Sequence, residues 1–233
     1  MTYEILKGVV GSKAYGLDHA GSDTDYMSVY ITPTLDLVGF DPPPRDSIRG
    51  SNPDSIAYEL GKFLLLTAKA SVTTSEFLWL DSYETCTLEG SWLLDDVREA
   101  LLSQRAKASY TGYAVGEFKA ISKYNPEYDD RAKFVKKAVT AFRLLEQFHT
   151  LWQTGTLQPR VEDPNSMRAA ASDFIDQPPE TRAERALMYI NGADRTAEKP
   201  TPLPAEPNHA VIRDYLHEIR KQHGSPSHTT SRI

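Results

Sequence analysis

Cysteine is nearly absent: Cys86 is the only thiol in 233 residues. A lone thiol excludes a disulfide framework and a thiolate zinc site, and fits a reducing compartment. Long apolar runs are missing as well. The most hydrophobic stretch, "FLLLTAKA", breaks at Lys69, well short of the roughly 20 residues a membrane span needs. The N-terminus sets Glu4 and Lys7 around a short strand-like run, unlike a basic stretch feeding an apolar core. A cytoplasmic protein with no membrane partner is expected. Basic charge is in deficit, with 26 Lys and Arg against 32 Asp and Glu and a net charge of −6. That excludes coating nucleic acid by bulk electrostatics while leaving a local basic stripe open. Ligand spacing is lacking among His149, His209 and His217. What is present is 40% hydrophobic and 25% charged, enough for one large domain or two small ones sharing a core.

Periodicity changes along the chain. Residues 3–10 are apolar and β-branched enough for a strand ending at Gly11. Residues 24–31 alternate as a second, with Tyr26, Ser28 and Tyr30 opposite Met27, Val29 and Ile31. "DPPPRD" reads as loop. From Ile56 the pattern turns helical, with Leu60, Phe63, Leu64 and Ala68 on one face, ending near Ser71. "TTSEFLWLDS" reads as cap, short helix and strand. After about residue 90 the strands stop, and 90–103, 104–123 and 130–154 read as amphipathic helices. Two more follow in "DPNSMRAAASDFI" and "PETRAERALMYINGADR", then a proline-rich connector, a helix capped by Asn208 and a floppy tail. The fold expected is α+β, a small mixed sheet with helices followed by a helical bundle. The boundaries expected are 1–89 for the core, 90–199 for the helical domain, and 200–233 for connector, terminal helix and tail.

The chemistry concentrates in "GVVGSKAYGLDHAGSDTDYMSVYI", residues 8–31. Residues two apart on a strand share a face, so Asp23 and Asp25 project together. Two like charges that close repel unless a cation lies between them, and hard ions such as Mg²⁺ or Mn²⁺ suit a carboxylate pair completed by substrate phosphates. Upstream, Gly11 and Ser12 let the backbone approach a phosphate, with exposed N–H groups and a hydroxyl forming an anion nest. A phosphate cradle with metal-binding carboxylates implies a nucleoside triphosphate. An aspartate-rich turn is the plain alternative. An EF-hand loop fails because position 27 is Met, and a haloacid-dehalogenase nucleophile would need an apolar strand where "LDHAGS" stands.

Residues 8–31 resemble the polymerase-beta-type nucleotidyltransferase signature: an apolar strand, Gly-Ser, a loop, then Asp-x-Asp entering a strand. The fuller "GSKAYGLDHAGSDTDYMSV" is similar to a narrower bacterial and phage branch that includes RNA-ligase-associated, RlaP-type members, with the form Gly-Ser-Arg-Ala-Tyr-Gly and then Ser-Asp-x-Asp. Lys13 stands here for the arginine, keeping the charge without the bidentate fork. The resemblance puts Tyr15 and Ser22 with Gly11, Ser12 and Lys13 among the substrate-binding residues. It implies a third carboxylate before a helix: "PDSIAYELGKFLLL" puts Asp54 there, as metal ligand with Asp23 and Asp25 and as base for the attacking hydroxyl, with Glu59 in reserve. It also implies Lys136 and Arg143 as phosphate-neutralising cations on "RAKFVKKAVTAFRLLEQFH", where Lys136, Thr140 and Arg143 share a face and Thr140 replaces the family's histidine. "SYTGYAVGEF" resembles the family's Gly-Tyr-Ala helix, and close helix packing is the expected reason for Gly112. Tyr110 and Tyr113 are expected buried rather than stacked on a base. The resemblance runs over roughly residues 5–160.

Three functions compete. The first is a metal-dependent nucleotidyltransferase moving a nucleoside monophosphate from a triphosphate to a hydroxyl on an RNA end, a tRNA, a protein or a small molecule, with release of pyrophosphate. The second is a non-catalytic nucleotide-binding or antitoxin-like module on the same fold. The third, a D-x-D glycosyltransferase, would select nucleotide sugars.

Overall fold

A computed structural model describes residues 2–224. The expected floppy tail lies, beyond Gly224, outside the described residues. The chain folds as two compact units, one of residues up to Ser103 together with those from Glu206, the other of Gln104–Ala205. Both the sheet and the terminal helix therefore belong to the first unit.

The first unit is built on a five-stranded mixed sheet of order β3-β4-β2-β1-β5. Its strands are β1 (Tyr3–Val10), β2 (Asp25–Ile31), β3 (Ser47–Ser51), β4 (Asp54–Glu59) and β5 (Thr85–Cys86). β1 runs antiparallel to β2 and β5, β3 antiparallel to β4, and β2 parallel to β4. The α+β expectation holds, a mixed sheet with helices that continue into a helical C-terminal region. Helix α1 (Thr34–Val38) precedes the β3–β4 hairpin, and α2 (Leu60–Ala68), α3 (Val72–Phe77) and α4 (Leu88–Trp92) follow it.

Three local readings change. Ile56 to Glu59 are strand, not the start of a helix. Ile56 and Tyr58 pair with Met27 and Val29, so tertiary pairing overrides a helical face that Leu60 onward continues. The stretch after α3 forms no strand at Trp79–Leu80; the next strand is β5. Residues 90–103 are not one helix: α4 gives way to a π-turn over Leu93–Val97 and a 3₁₀ turn over Glu99–Leu101.

Ile5, Leu6, Met27, Val29 and Ile31 from the sheet pack on Leu60, Phe63, Leu64 and Phe77, and on Leu93 and Val97. The terminal helix α9 (His209–Gln222) completes this core with Ile212, Tyr215 and Ile219. Asn208 caps it by accepting from the Val211 amide, as the sequence suggests. Polar bonds then pin its C-terminal end. Arg220 donates to the Thr32 carbonyl at 3.2 Å and to Glu59 Oε1 at 2.7 Å, and the Thr34 hydroxyl donates back to the Arg220 carbonyl at 2.6 Å.

The second unit comprises α5 (Ala106–Ile121), α6 (Arg131–Thr154), α7 (Pro164–Asp176) and α8 (Pro179–Ala197). Phe118, Phe142, Phe174 and Tyr189 form its aromatic centre. Asp130 caps α6, and Gly155 ends it at φ +75° in the left-handed region glycine favours. Gly112 does not serve close packing: a methyl group there would meet nothing within 4 Å. Tyr110 is buried, whereas Tyr113 is exposed.

Candidate active site

β1 ends where the sequence supplies Gly11, at φ +71°, a conformation that other residues enter at a cost of about 1–2 kcal/mol. The chain then closes a compact turn. The Tyr15 amide donates to the Gly11 carbonyl at 3.2 Å, Gly16 to Lys13 at 3.2 Å and Leu17 to Ser12 at 2.8 Å. The amides of Ser12 and Lys13 take no part in these bonds. A second turn brings the chain back, with the His19 amide donating to the Ser22 hydroxyl at 2.9 Å and the Ser22 amide to the His19 carbonyl at 2.9 Å.

The acidic residues follow at the head of β2. Asp25 is its first residue and faces Val10 across the β1–β2 ladder, while Asp23 precedes the strand and is exposed. The strand geometry that would align the pair thus holds for Asp25 alone. The Asp25 carboxylate lies against Gly11, so a Cβ on Gly11 would meet Asp25 Oδ2 and push that carboxylate aside. The Lys13 ammonium donates to the Thr24 hydroxyl, tying the turn to the residue between the two aspartates.

The β2–β4 register separates Asp54 from Glu59. Tyr26 pairs with Ser55 and Tyr30 with Glu59. Continued by one residue, that register sets Asp25 level with Asp54 on adjacent parallel strands, whose axes lie about 4.8 Å apart. Glu59 lies five residues further, about 16 Å along the strand. It is 5% exposed, accepts from the Gly61 amide to cap α2 at 2.7 Å, and is ion-paired to Arg220. Of the two acids, Asp54 shares the end of the sheet occupied by Asp25, and Glu59 does structural work at the other.

Among the described residues no cation or hydrogen-bond donor pairs with the side chains of Asp23, Asp25 or Asp54. Nor do three Asp, Glu, His or Cys side chains stand together at metal-binding spacing among those residues. The donor set of Asp23, Asp25 and Asp54 is wholly carboxylate, and that chemistry fits a hard divalent cation sharing its coordination with phosphates.

The remaining candidates spread more widely. Tyr15 donates its hydroxyl to Glu76 Oε2 at 2.6 Å; Glu76, on α3, is 2% exposed. Sequence reasoning missed Glu76, although an acid inside the apolar run "SEFLWL" signals a buried charge that needs a partner. Lys136 and Arg143 belong to the helical unit. Lys136 is exposed. Arg143 is buried and donates to Gln147 Oε1 at 2.7 Å, whose amide in turn donates to the Pro159 carbonyl at 2.9 Å. One end of that helix face is thus solvated and the other packed.

No helix among the described residues is long and apolar enough to cross a membrane. No curated protein matches the chain. The family model described as "RlaP: RNA repair pathway DNA polymerase beta family" matches residues 4–228, spanning the glycine turn, the acidic strand heads, the helical unit and the terminal helix. The chain belongs to this RlaP family, a polymerase-beta-type group named for RNA repair.

Proposed function

We propose that this protein is a metal-dependent nucleotidyltransferase that moves a nucleoside monophosphate from a nucleoside triphosphate to a hydroxyl, with an RNA end as the favoured acceptor. The observation that carries this reading is the register of β2 and β4, which sets Asp54 level with Asp25, the residue that lies against the Gly11 turn. The family's description, with its RNA repair pathway, supports RNA over the other acceptors.

Gly11, Ser12 and Lys13 bind the triphosphate through backbone N–H groups, a hydroxyl and a cation. Asp23, Asp25 and Asp54 would hold Mg²⁺ or Mn²⁺, and would have to turn toward one another to share it. Such an ion, when bound, polarises the α-phosphate and offsets the charge of the departing pyrophosphate. Asp54 accepts the proton of the acceptor hydroxyl. That oxygen bonds to the α-phosphorus, the bond from the α-phosphorus to the bridging oxygen breaks, and pyrophosphate leaves with the electron pair. Ser22 shapes the turn that returns the chain to Asp23. Within the helical unit Lys136 is an exposed cation, while Arg143 fixes α6 to the Pro159 segment through Gln147.

The test is incubation with each α-labelled triphosphate, Mg²⁺ or Mn²⁺, and separate RNA, protein and metabolite fractions. Label should enter RNA with release of pyrophosphate, and both should vanish in Asp23→Asn/Asp25→Asn. Tight triphosphate binding without transfer to any fraction would favour a non-catalytic nucleotide-binding module instead.

A further inference from the structure

Tyr15 belongs to the Gly-Ser turn, three residues beyond Ser12, yet its hydroxyl bonds outside the turn. It donates to Glu76 Oε2 at 2.6 Å, across 61 residues of sequence. Glu76 sits in α3, where Thr74, Ser75 and Glu76 are 1%, 3% and 2% exposed in succession. Three consecutive buried polar residues in a six-residue helix are a poor way to fill a core. A carboxylate removed from water without a hydrogen-bond partner is costly, so a buried Glu there has value where something must be held. What it holds is the turn. The Tyr15 amide closes the turn on the Gly11 carbonyl, and the Tyr15 phenol fastens it to α3. Lys13, two residues earlier, fastens the same turn to Thr24 on the other side.

We infer that Glu76 is a positioning residue: through Tyr15 it fixes the Gly11–Leu17 turn so that the amides of Ser12 and Lys13 face the triphosphate. The inference rests on the proposed function and reassigns Tyr15 from a substrate contact to a strut. A preorganised anion cradle binds better than one ordered at the moment of binding, and a displacement of about 1 Å in such a cradle can lower the rate a hundredfold.

The experiment combines Tyr15→Phe, Glu76→Leu, their double variant and Glu76→Gln, read by hydrogen exchange of the turn amides and by triphosphate KM and kcat. Tyr15→Phe loses only a hydroxyl from a half-buried ring and keeps the test valid even where Glu76→Leu fails to fold. The expected result is faster exchange at Tyr15 and Leu17, a Tm lowered by a few degrees because Glu76 loses a donor, and a triphosphate KM raised about tenfold. The double variant should be no worse than the worse single variant, as for two halves of one contact. Glu76→Gln, which keeps an acceptor oxygen, should recover most of the loss. Unchanged exchange and KM in Tyr15→Phe, or additive losses in the double variant, would overturn the inference while wild-type turnover left the proposed function standing. Wild-type protein that neither binds triphosphate nor releases pyrophosphate would sink the proposed function first, and this inference with it.

Discussion

The two ends of the β2–β4 pair carry acids in opposite circumstances. At the far end Glu59 is buried, caps α2 and is neutralised by Arg220 from a helix more than 150 residues away. At the near end Asp25 and Asp54 stand level with no partner among the described residues, and Asp23 beside them is equally unpaired. Chain folding readily supplies a cation where an acid serves stability. Unpaired like charges on adjacent strands oppose folding, and that arrangement is expected where a ligand, and not the fold, is to provide the counter-charge. On the proposed function, one end of the sheet serves the fold and the other the chemistry.

The sharpest way to break this contrast is to neutralise each end in turn. Asp25→Asn and Asp54→Asn should each lower pyrophosphate release about a thousandfold or more while leaving Tm unchanged or raised, since repulsion is relieved. Release undiminished in either variant would remove that residue from the site. Glu59→Ala should do the reverse. Leaving the half-buried Arg220 without its carboxylate, and α2 without its cap, should cost about 1.5–3 kcal/mol in denaturant unfolding, and a cost under about 0.5 kcal/mol would show that the far end is not held by the pair.

Gly11→Ala joins both effects. The positive φ alone should cost about 1–2 kcal/mol, and the new methyl would collide with Asp25, so activity should fall further than stability. Equal losses would mean that Asp25 is free to move aside.

A smaller effect concerns the clasp on α9. Burial works to raise the Glu89 pKa, but hydrogen bonds from the Thr87 hydroxyl, its own backbone and His223 outweigh it and hold the carboxyl below its usual value. A depressed carboxylate stabilises the folded state above its unfolded pKa and loses that contribution as pH falls through the folded value. Glu89→Gln should therefore destabilise by on the order of 1 kcal/mol at neutral pH, with the difference shrinking below about pH 4.5. A pH-independent difference would contradict the assignment. The smallest change has the opposite sign: Gly112→Ala, on an open helix face, should stabilise by up to about 1 kcal/mol.

Much of this was legible because it is local. β1, the alternation of β2, the apolar face of α2, the amphipathic α6 and the Asn208 cap of α9 each follow from a few consecutive residues. The glycine turn and Asp-x-Asp were legible for the same reason. The β3–β4 hairpin was not. β3 is almost wholly exposed and carries no apolar alternation, and the apolar residues of β4 run straight into those of α2. Long-range partners were invisible as well. Nothing near Glu59 announces Arg220, and nothing near Tyr15 announces Glu76. The resemblance put Asp54 ahead of Glu59, and only the parallel register shows that Asp54 stands level with Asp25 while Glu59 lies at the other end of β4.

The most direct test of the contrast between the two ends is Mn²⁺ binding followed by electron paramagnetic resonance, with a non-hydrolysable triphosphate present. Wild type and Glu59→Gln should bind the ion alike, and Asp25→Asn and Asp54→Asn should lose it. Equal binding in all four proteins would contradict the account, because the unpaired carboxylates would then not be the cation's seat.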